Sequence, residues 1–153
     1  MAGTGNDIMD RAAVRSVVDR SWKAICTGNW EALAEITVDD VIMEFSEATF
    51  VRGRADARAF WQYYYANYRM HVTQMNIIPQ GNMAAVEATL ELTYHTTKPG
   101  LPPATGQKIV MPVAVFVTLR EGKIARSRFV YSLADWMRIF HEQLMQKQDE
   151  GAR

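Results

Sequence analysis

The stretch Gly106–Leu133, GQKIVMPVAVFVTLREGKIARSRFVYSL, decides the fold class. Ile109, Val110, Val113, Val115, Phe116 and Val117 supply the β-branched and aromatic side chains that fit a pleated surface. Arg120-Glu121-Gly122-Lys123 interrupts them with a turn signal, so the stretch reads as two long antiparallel strands in a tight hairpin. Upstream, Met83 to Thr96 reads as another long strand. A turn at Pro79-Gln80-Gly81-Asn82 and a strand from about Met70 to Ile78 precede it. Lys98 to Thr105 carries three of the five prolines and is a loop. Downstream the period changes: Leu133, Trp136, Met137, Phe140 and Leu144 share one helical face, which predicts a C-terminal helix over about residues 134–146.

The N-terminal half is helical in pattern. Asp7 is placed to cap a helix running to about Thr27, with Ile8, Val14, Val17, Val18, Trp22 and Ile25 as its apolar stripe. Gly28-Asn29 ends it, and Trp30, Leu33, Ala34 and Ile36 predict a second, shorter helix. A strand follows from Val41 to Ser46, then a loop from Glu47 to Arg54. A third helix starts at about Ala55 and carries Phe60, Trp61, Tyr64, Tyr65 and Tyr68. Helices gather early and strands late, the order of an α+β domain rather than a doubly wound one.

Composition narrows the function classes. The 153 residues fit one domain, and 48% hydrophobic against 22% charged residues is the balance of a chain with a real core. Seventeen basic and seventeen acidic residues cancel, and no basic stripe stands out, so nucleic acid is not an expected partner. The single cysteine, Cys26, cannot form an intramolecular disulfide and reads as a small apolar residue within a helix. No run approaches the roughly 18 apolar residues of a membrane span, and no basic flank precedes an apolar run. The expected location is therefore cytoplasmic, with no membrane partner. His71, His95 and His141 are scattered, so no metal site is expected. Gly3-Thr4-Gly5-Asn6 follows no strand and is no dinucleotide fingerprint; no cofactor is expected.

Several phrases, in this order, resemble the nuclear transport factor 2-like superfamily and its SnoaL-like, ketosteroid-isomerase-like branch. They are Thr27-Gly28-Asn29-Trp30, Asp39-Asp40-Val41-Ile42-Met43-Glu44-Phe45, Val51-Arg52-Gly53-Arg54 with Phe60-Trp61 behind it, and Arg120-Glu121-Gly122-Lys123-Ile124. The resemblance implies a single SnoaL-like domain over residues 1–153, with its core at about residues 8–133. It also implies a curved antiparallel sheet that helices close into a cone-shaped barrel (a cystatin-like roll) around one apolar pocket. Homodimers through the outer sheet face are common in such families. The resemblance does not carry the best-known chemistries across. The ketosteroid isomerase positions align with Ser21, Phe45 and Ala114, and those of limonene-epoxide-hydrolase-like enzymes with Ala88, Leu90 and Phe129. The phenyl ring of Phe45 cannot abstract a proton, the methyl of Ala114 cannot donate to an oxyanion, and Ala88, Leu90 and Phe129 carry no acid or base.

In that alignment Trp22, Met43, Phe45, Trp61, Leu90, Ala114 and Phe129 line a pocket for a hydrophobic small molecule, and Met111, Val113, Val115 and Val117 lie on the outer face. The competing reading is that these side chains simply fill the core. His71 is the expected acid/base, by its likeness to the strand-opening histidine of SnoaL-like and scytalone-dehydratase-like members. Tyr65 or Tyr131 is expected to orient or polarise the substrate. His95, in a polar alternation with Glu87, Thr89, Glu91 and Thr93, reads as outer face. Glu47 shares the parity of Phe45 and is placed to reach the cavity mouth. The expected activity is proton-transfer chemistry of the lyase or isomerase kind (dehydration, isomerisation or cyclisation). The alternative is a non-catalytic hydrophobic-ligand-binding or dimerisation module.

Overall fold

The structure is a computed structural model that describes residues 10–150; Asp7, Ile8 and the Gly-rich start lie outside the described residues. The element order is α1 (Arg11–Thr27), α2 (Trp30–Glu35), β1 (Thr37–Glu44), β2 (Phe50–Arg52), α3 (Arg54–Asn67), β3 (Tyr68–Gln80), β4 (Met83–Tyr94), β5 (Gln107–Arg120), β6 (Lys123–Val130) and α4 (Leu133–Glu150). Asp10 caps α1, its carboxylate accepting from the Ala13 N–H at 2.8 Å. Gly28 ends the helix at φ 67°, a left-handed conformation that glycine adopts without strain.

The six strands form one open sheet in the order β2-β1-β6-β5-β4-β3. From β3 to β6 it is an antiparallel meander, and the β5–β6 hairpin pairs Arg120 with Lys123 across Glu121-Gly122, as its sequence predicts. Both turn residues have positive φ, the backbone that matches the right-handed twist of the flanking strands. The expectation of an antiparallel sheet fails at one seam, because β1 pairs parallel with β6, with Met43 opposite Ser127 and Glu44 opposite Arg128. Parallel neighbours need a long connection, and α3 with the whole meander provides it. The short strand β2, read from sequence as loop, pairs antiparallel with the end of β1. Three paired residues are too few to leave a periodicity.

Register irregularities between Val72 and Gln74 and between Thr118 and Leu119 help to bend the sheet around the helices. The concave face and the helices bury Val14, Val18, Trp22, Val41, Val86 and Val115 almost completely. A second apolar cluster, Tyr68, Leu92, Tyr94, Ile109, Met111 and Leu144, fills the end of the sheet under α4. Beyond the last β5–β6 pair, Ala114 with Val130, the first half of β5 has an open edge that α4 covers. The Trp136 indole donates to the Pro112 carbonyl at 2.9 Å. Pro112 is tolerated here because no strand lies beyond it to ask for an N–H. Ser132 caps this helix, its hydroxyl accepting from the Asp135 N–H at 3.2 Å.

On β5 the odd residues from Gln107 to Leu119 face inward and the even ones outward. This reverses the expectation for the strand. Val113, Val115 and Val117 are core, while Ala114 lies on the outer face with Val110 and Phe116. The physical reason is that β5 is apolar on both faces, so alternation cannot tell inside from outside.

Candidate functional site

Among the described residues the cone encloses a larger and a smaller chamber. The larger, about 260 Å³, lies between the sheet and all three N-terminal helices, and Trp22, Ile25, Trp30, Met43, Val117 and Phe129 are among its walls. The smaller, about 80 Å³, is bounded by Phe45, Phe60, Leu90, Val113, Tyr131 and Trp136, with Glu47 and Tyr64 at its rim. Trp22, Trp61 and Phe129 are walls of both.

Packing between aromatic rings holds these walls in place. Phe45 stacks on Phe129 with centroids 4.9 Å apart and planes 7° apart, and Phe60 lies 4.7 Å from Phe45 on its other side. Trp61 meets Phe60 edge-on at 5.1 Å and Phe129 at 5.8 Å. Such offset and edge-to-face pairs fix ring orientations, so the walls are preformed. The larger chamber presents few polar groups. Ser21 turns its hydroxyl back to the Val18 carbonyl at 2.7 Å, and the Thr37 hydroxyl donates to the Leu33 carbonyl at 2.7 Å. Arg54 and Arg58 stand at its edge.

The titratable chemistry gathers at the smaller chamber. The Tyr131 phenol donates to Glu47 Oε2 at 2.6 Å. Ser46 secures this contact: its hydroxyl accepts from the Tyr131 N–H at 2.9 Å and donates to the Phe129 carbonyl at 3.3 Å. It thereby extends the β1–β6 pairing by a side chain where the ladder stops. Burial first, and then the adjoining Glu47 carboxylate, push the Tyr131 phenol well above its ordinary value. Burial also raises Tyr64. Both phenols therefore stay protonated near neutral pH and act as donors.

Of the residues expected from sequence, Trp22, Met43, Phe45, Trp61, Leu90 and Phe129 line one or both chambers, and Tyr131 lines the smaller. Ala114 does not, for the reason given by β5. The correction restores no acid there, since its inward neighbours Val113 and Val115 are apolar. His71 does not enter the cavity either. It is exposed on the outer face of β3 opposite Glu91, because Met70 and Val72 on either side of it take the inward positions. Tyr65 packs elsewhere: its ring lies over Gly28, 5.5 Å from Trp30, and under the Arg69 guanidinium at 3.9 Å. It reaches only a cleft of about 10 Å³. The adjacent Tyr64 takes the position at the chamber rim. His95 is exposed at the end of β4, where Arg69 donates to its Nε2 at 2.6 Å. Glu44, the other acid beside Phe45, is engaged on the outer face by Arg126 at 2.5 Å.

Among the described residues no group of acids, histidines and cysteine is arranged to hold a metal, and no helix is long and apolar enough to cross a membrane.

Solved structures share this architecture. A proposed polyketide cyclase from Xanthomonas campestris pv. campestris superposes with a TM-score of 0.76 at 28% identity, covering 84% of this chain and 96% of that one. A second, from Pseudomonas putida, gives 0.74 at 29% identity, covering 86% and 97%. An epoxide hydrolase of the limonene-epoxide-hydrolase-like kind from M. tuberculosis gives 0.72 at 14% identity, covering 88% and 93%, a likeness of fold alone. No curated protein matches in sequence. The SnoaL-like domain family matches residues 18–127, from within α1 to the middle of β6; this span supplies most of the walls of both chambers, while Phe129, Tyr131 and Trp136 lie beyond it. The chain therefore belongs to the SnoaL-like domain family.

Proposed function

We propose that this chain is a SnoaL-like, cofactor-independent catalyst of proton transfer on a small hydrophobic or polycyclic carbonyl compound. The observation that carries this reading is the Tyr131–Glu47 hydrogen bond at the rim of an aromatic chamber. Glu47 is the base: its carboxylate takes a proton from the carbon beside a substrate carbonyl. Tyr131 is the donor. Its phenol turns from Glu47 to the carbonyl oxygen as negative charge develops there, and Glu47 then returns the proton at another position of the same ring system. Net isomerisation follows; in a cyclisation the carbanion instead bonds to a second carbonyl carbon of the same molecule, whose π electrons move onto its oxygen, and that oxygen takes the proton from Glu47, with no redox change in either case. The rings of Trp22, Trp61 and Phe129 hold the apolar body and exclude water. The similarity to two proposed polyketide cyclases at 28% and 29% identity supports a substrate of this class.

On the same reading residues 1–153 form a single domain that pairs into a homodimer through the outer sheet face. Val110, Phe116 and Val130 stand 43%, 46% and 40% exposed there, an apolar row that a second copy would cover.

The test is turnover of a panel of cyclic ketones and hydroxyketones. Glu47→Gln should lower kcat by about two to four orders of magnitude, the usual worth of a general base, and Tyr131→Phe by about one to two. Unchanged rates in both variants would refute the assignment. A second reading, a binding module without catalysis, is favoured by one observation: among the described residues neither a carboxylate nor a histidine lines the larger chamber. Ligand binding with no turnover in any variant would select it.

A further inference from the structure

The larger chamber has an asymmetric end. The helices α2 and α3 wall it from either side, and a row of side-chain contacts links them: Trp30 with Tyr65, Glu31 with Arg58, and the Ala34 carbonyl with Arg54. Two arginines of α3, Arg54 and Arg58, are thus among the residues lining the chamber and also reach across to α2. They are not equivalent. Arg54 is committed to structure, for it pairs with Asp39 at 2.5 Å and donates to the carbonyls of Ala34 and Thr37 at 3.3 and 3.4 Å. Arg58 lines the same chamber and meets one carboxylate, Glu31 Oε1, at 3.0 Å. That ion pair is exposed on both sides, 45% at Arg58 and 79% at Glu31. An exposed pair of this kind is weak and screened, and it exchanges readily.

We infer that Arg58 is the anion-recognising residue of the larger chamber, and that the ligand is an apolar molecule with a carboxylate at one end. The apolar body fills the space under Trp22, Trp30 and Met43. The carboxylate displaces Glu31 and takes a forked hydrogen bond from the guanidinium, which offers five donors in one plane. Glu31 thus acts as an internal stand-in that keeps the cation satisfied while the chamber is empty. A neutral ligand of the same body offers Arg58 no charge with which to displace Glu31 and leaves the ion pair intact. This inference rests on the larger chamber being the ligand chamber; it does not depend on chemistry at Glu47.

The test is calorimetric titration with naphthylacetate and with naphthylethanol, which share a ring body and differ in the charged end. Wild-type protein should bind the acid more tightly than the alcohol, by a margin that shrinks as salt is raised. Glu31→Gln, which removes the competitor, should tighten the acid several-fold and leave the alcohol unchanged. Arg58→Gln should weaken the acid by about tenfold, again with the alcohol unchanged. Ala57→Leu, which adds bulk to a chamber wall, should weaken both, with thermal melts reporting that the fold is retained. No heat with either compound, equal affinity for the two, or an acid affinity that ignores Glu31→Gln would overturn the proposal. Because the readout is binding, its failure is separable from a failure of the Glu47 and Tyr131 kinetics.

Discussion

The Gln143 side chain meets both backbone polar groups of Val110: its Oε1 accepts from the N–H at 2.7 Å, and its Nε2 donates to the carbonyl at 3.5 Å. A primary amide offers one acceptor and two donors in a plane, so it imitates the peptide of a neighbouring strand. Helix α4 in this way closes the only part of β5 that β6 does not reach, and an open edge that would invite another chain is covered.

Replacing Gln143 by Ala should cost about 1–2 kcal/mol in urea unfolding, the worth of two partly exposed hydrogen bonds. Amide exchange at Val110 should accelerate, while exchange at Val115, paired on both sides, stays slow. Unchanged protection at Val110 would mean that the amide contributes no pairing.

Three phenols respond to pH in one direction. Burial raises Tyr64 and Tyr131, and it pushes Tyr68 up to about 12, with the neighbouring Tyr94 phenol adding to the shift. An unfolded tyrosine ionises near 10, so above that pH the unfolded chain has released protons that the folded one keeps. Their contribution to stability is thus complete below pH of about 10 and is lost as pH rises toward about 12. Thermal melts should be level up to pH of about 10 and then fall steeply, and Tyr68→Phe should make the fall shallower. A melting temperature that holds through the whole range would contradict the burial described for these rings.

The outer face of β5 carries the association prediction. Phe116→Lys sets a charge beside Arg128, its partner across the β5–β6 pair, in the middle of the apolar row. Sedimentation equilibrium should find wild-type dimers and variant monomers. The variant's own unfolding should change by no more than about 0.5 kcal/mol, since Phe116 is a surface residue of the single chain. A wild-type monomer at micromolar concentration would sink the homodimer.

Much of this fold was legible because its signals are local. The hairpin turn at Glu121-Gly122, the Gly28 helix end and the period of α4 each sit within a few residues. The site was legible where one face of a strand is polar and the other apolar, as on β4, which placed Leu90 inward. It was illegible where both faces are apolar, and there Ala114 was read on the wrong side of β5. His71 was carried in by resemblance against a plain local signal, the apolar Met70 and Val72 flanking it. Tyr64 and Tyr65 are adjacent on a helix, about 100° apart around its axis, and only packing against Gly28 and Trp30 decides which one faces the chamber. The Glu31–Arg58 pair had no sequence signature, because its members lie on separate helices whose spacing the tertiary fold sets.

The parallel seam between β1 and β6 has a consequence for how the protein is made. During synthesis α1, α2, β1 and α3 leave the ribosome long before β6 exists, so the apolar walls contributed by Trp22, Met43 and Trp61 must wait for their cover. The meander from β3 to β6 is built of neighbouring hairpins and closes quickly; the β1–β6 contact spans most of the chain and closes late. Pulse-labelled refolding should therefore protect β4 and β5 amides before those of β1. Simultaneous protection would place the seam in the first step. Until that seam forms there is no enclosed chamber, and a ligand present during folding can act only on its final, slowest closure.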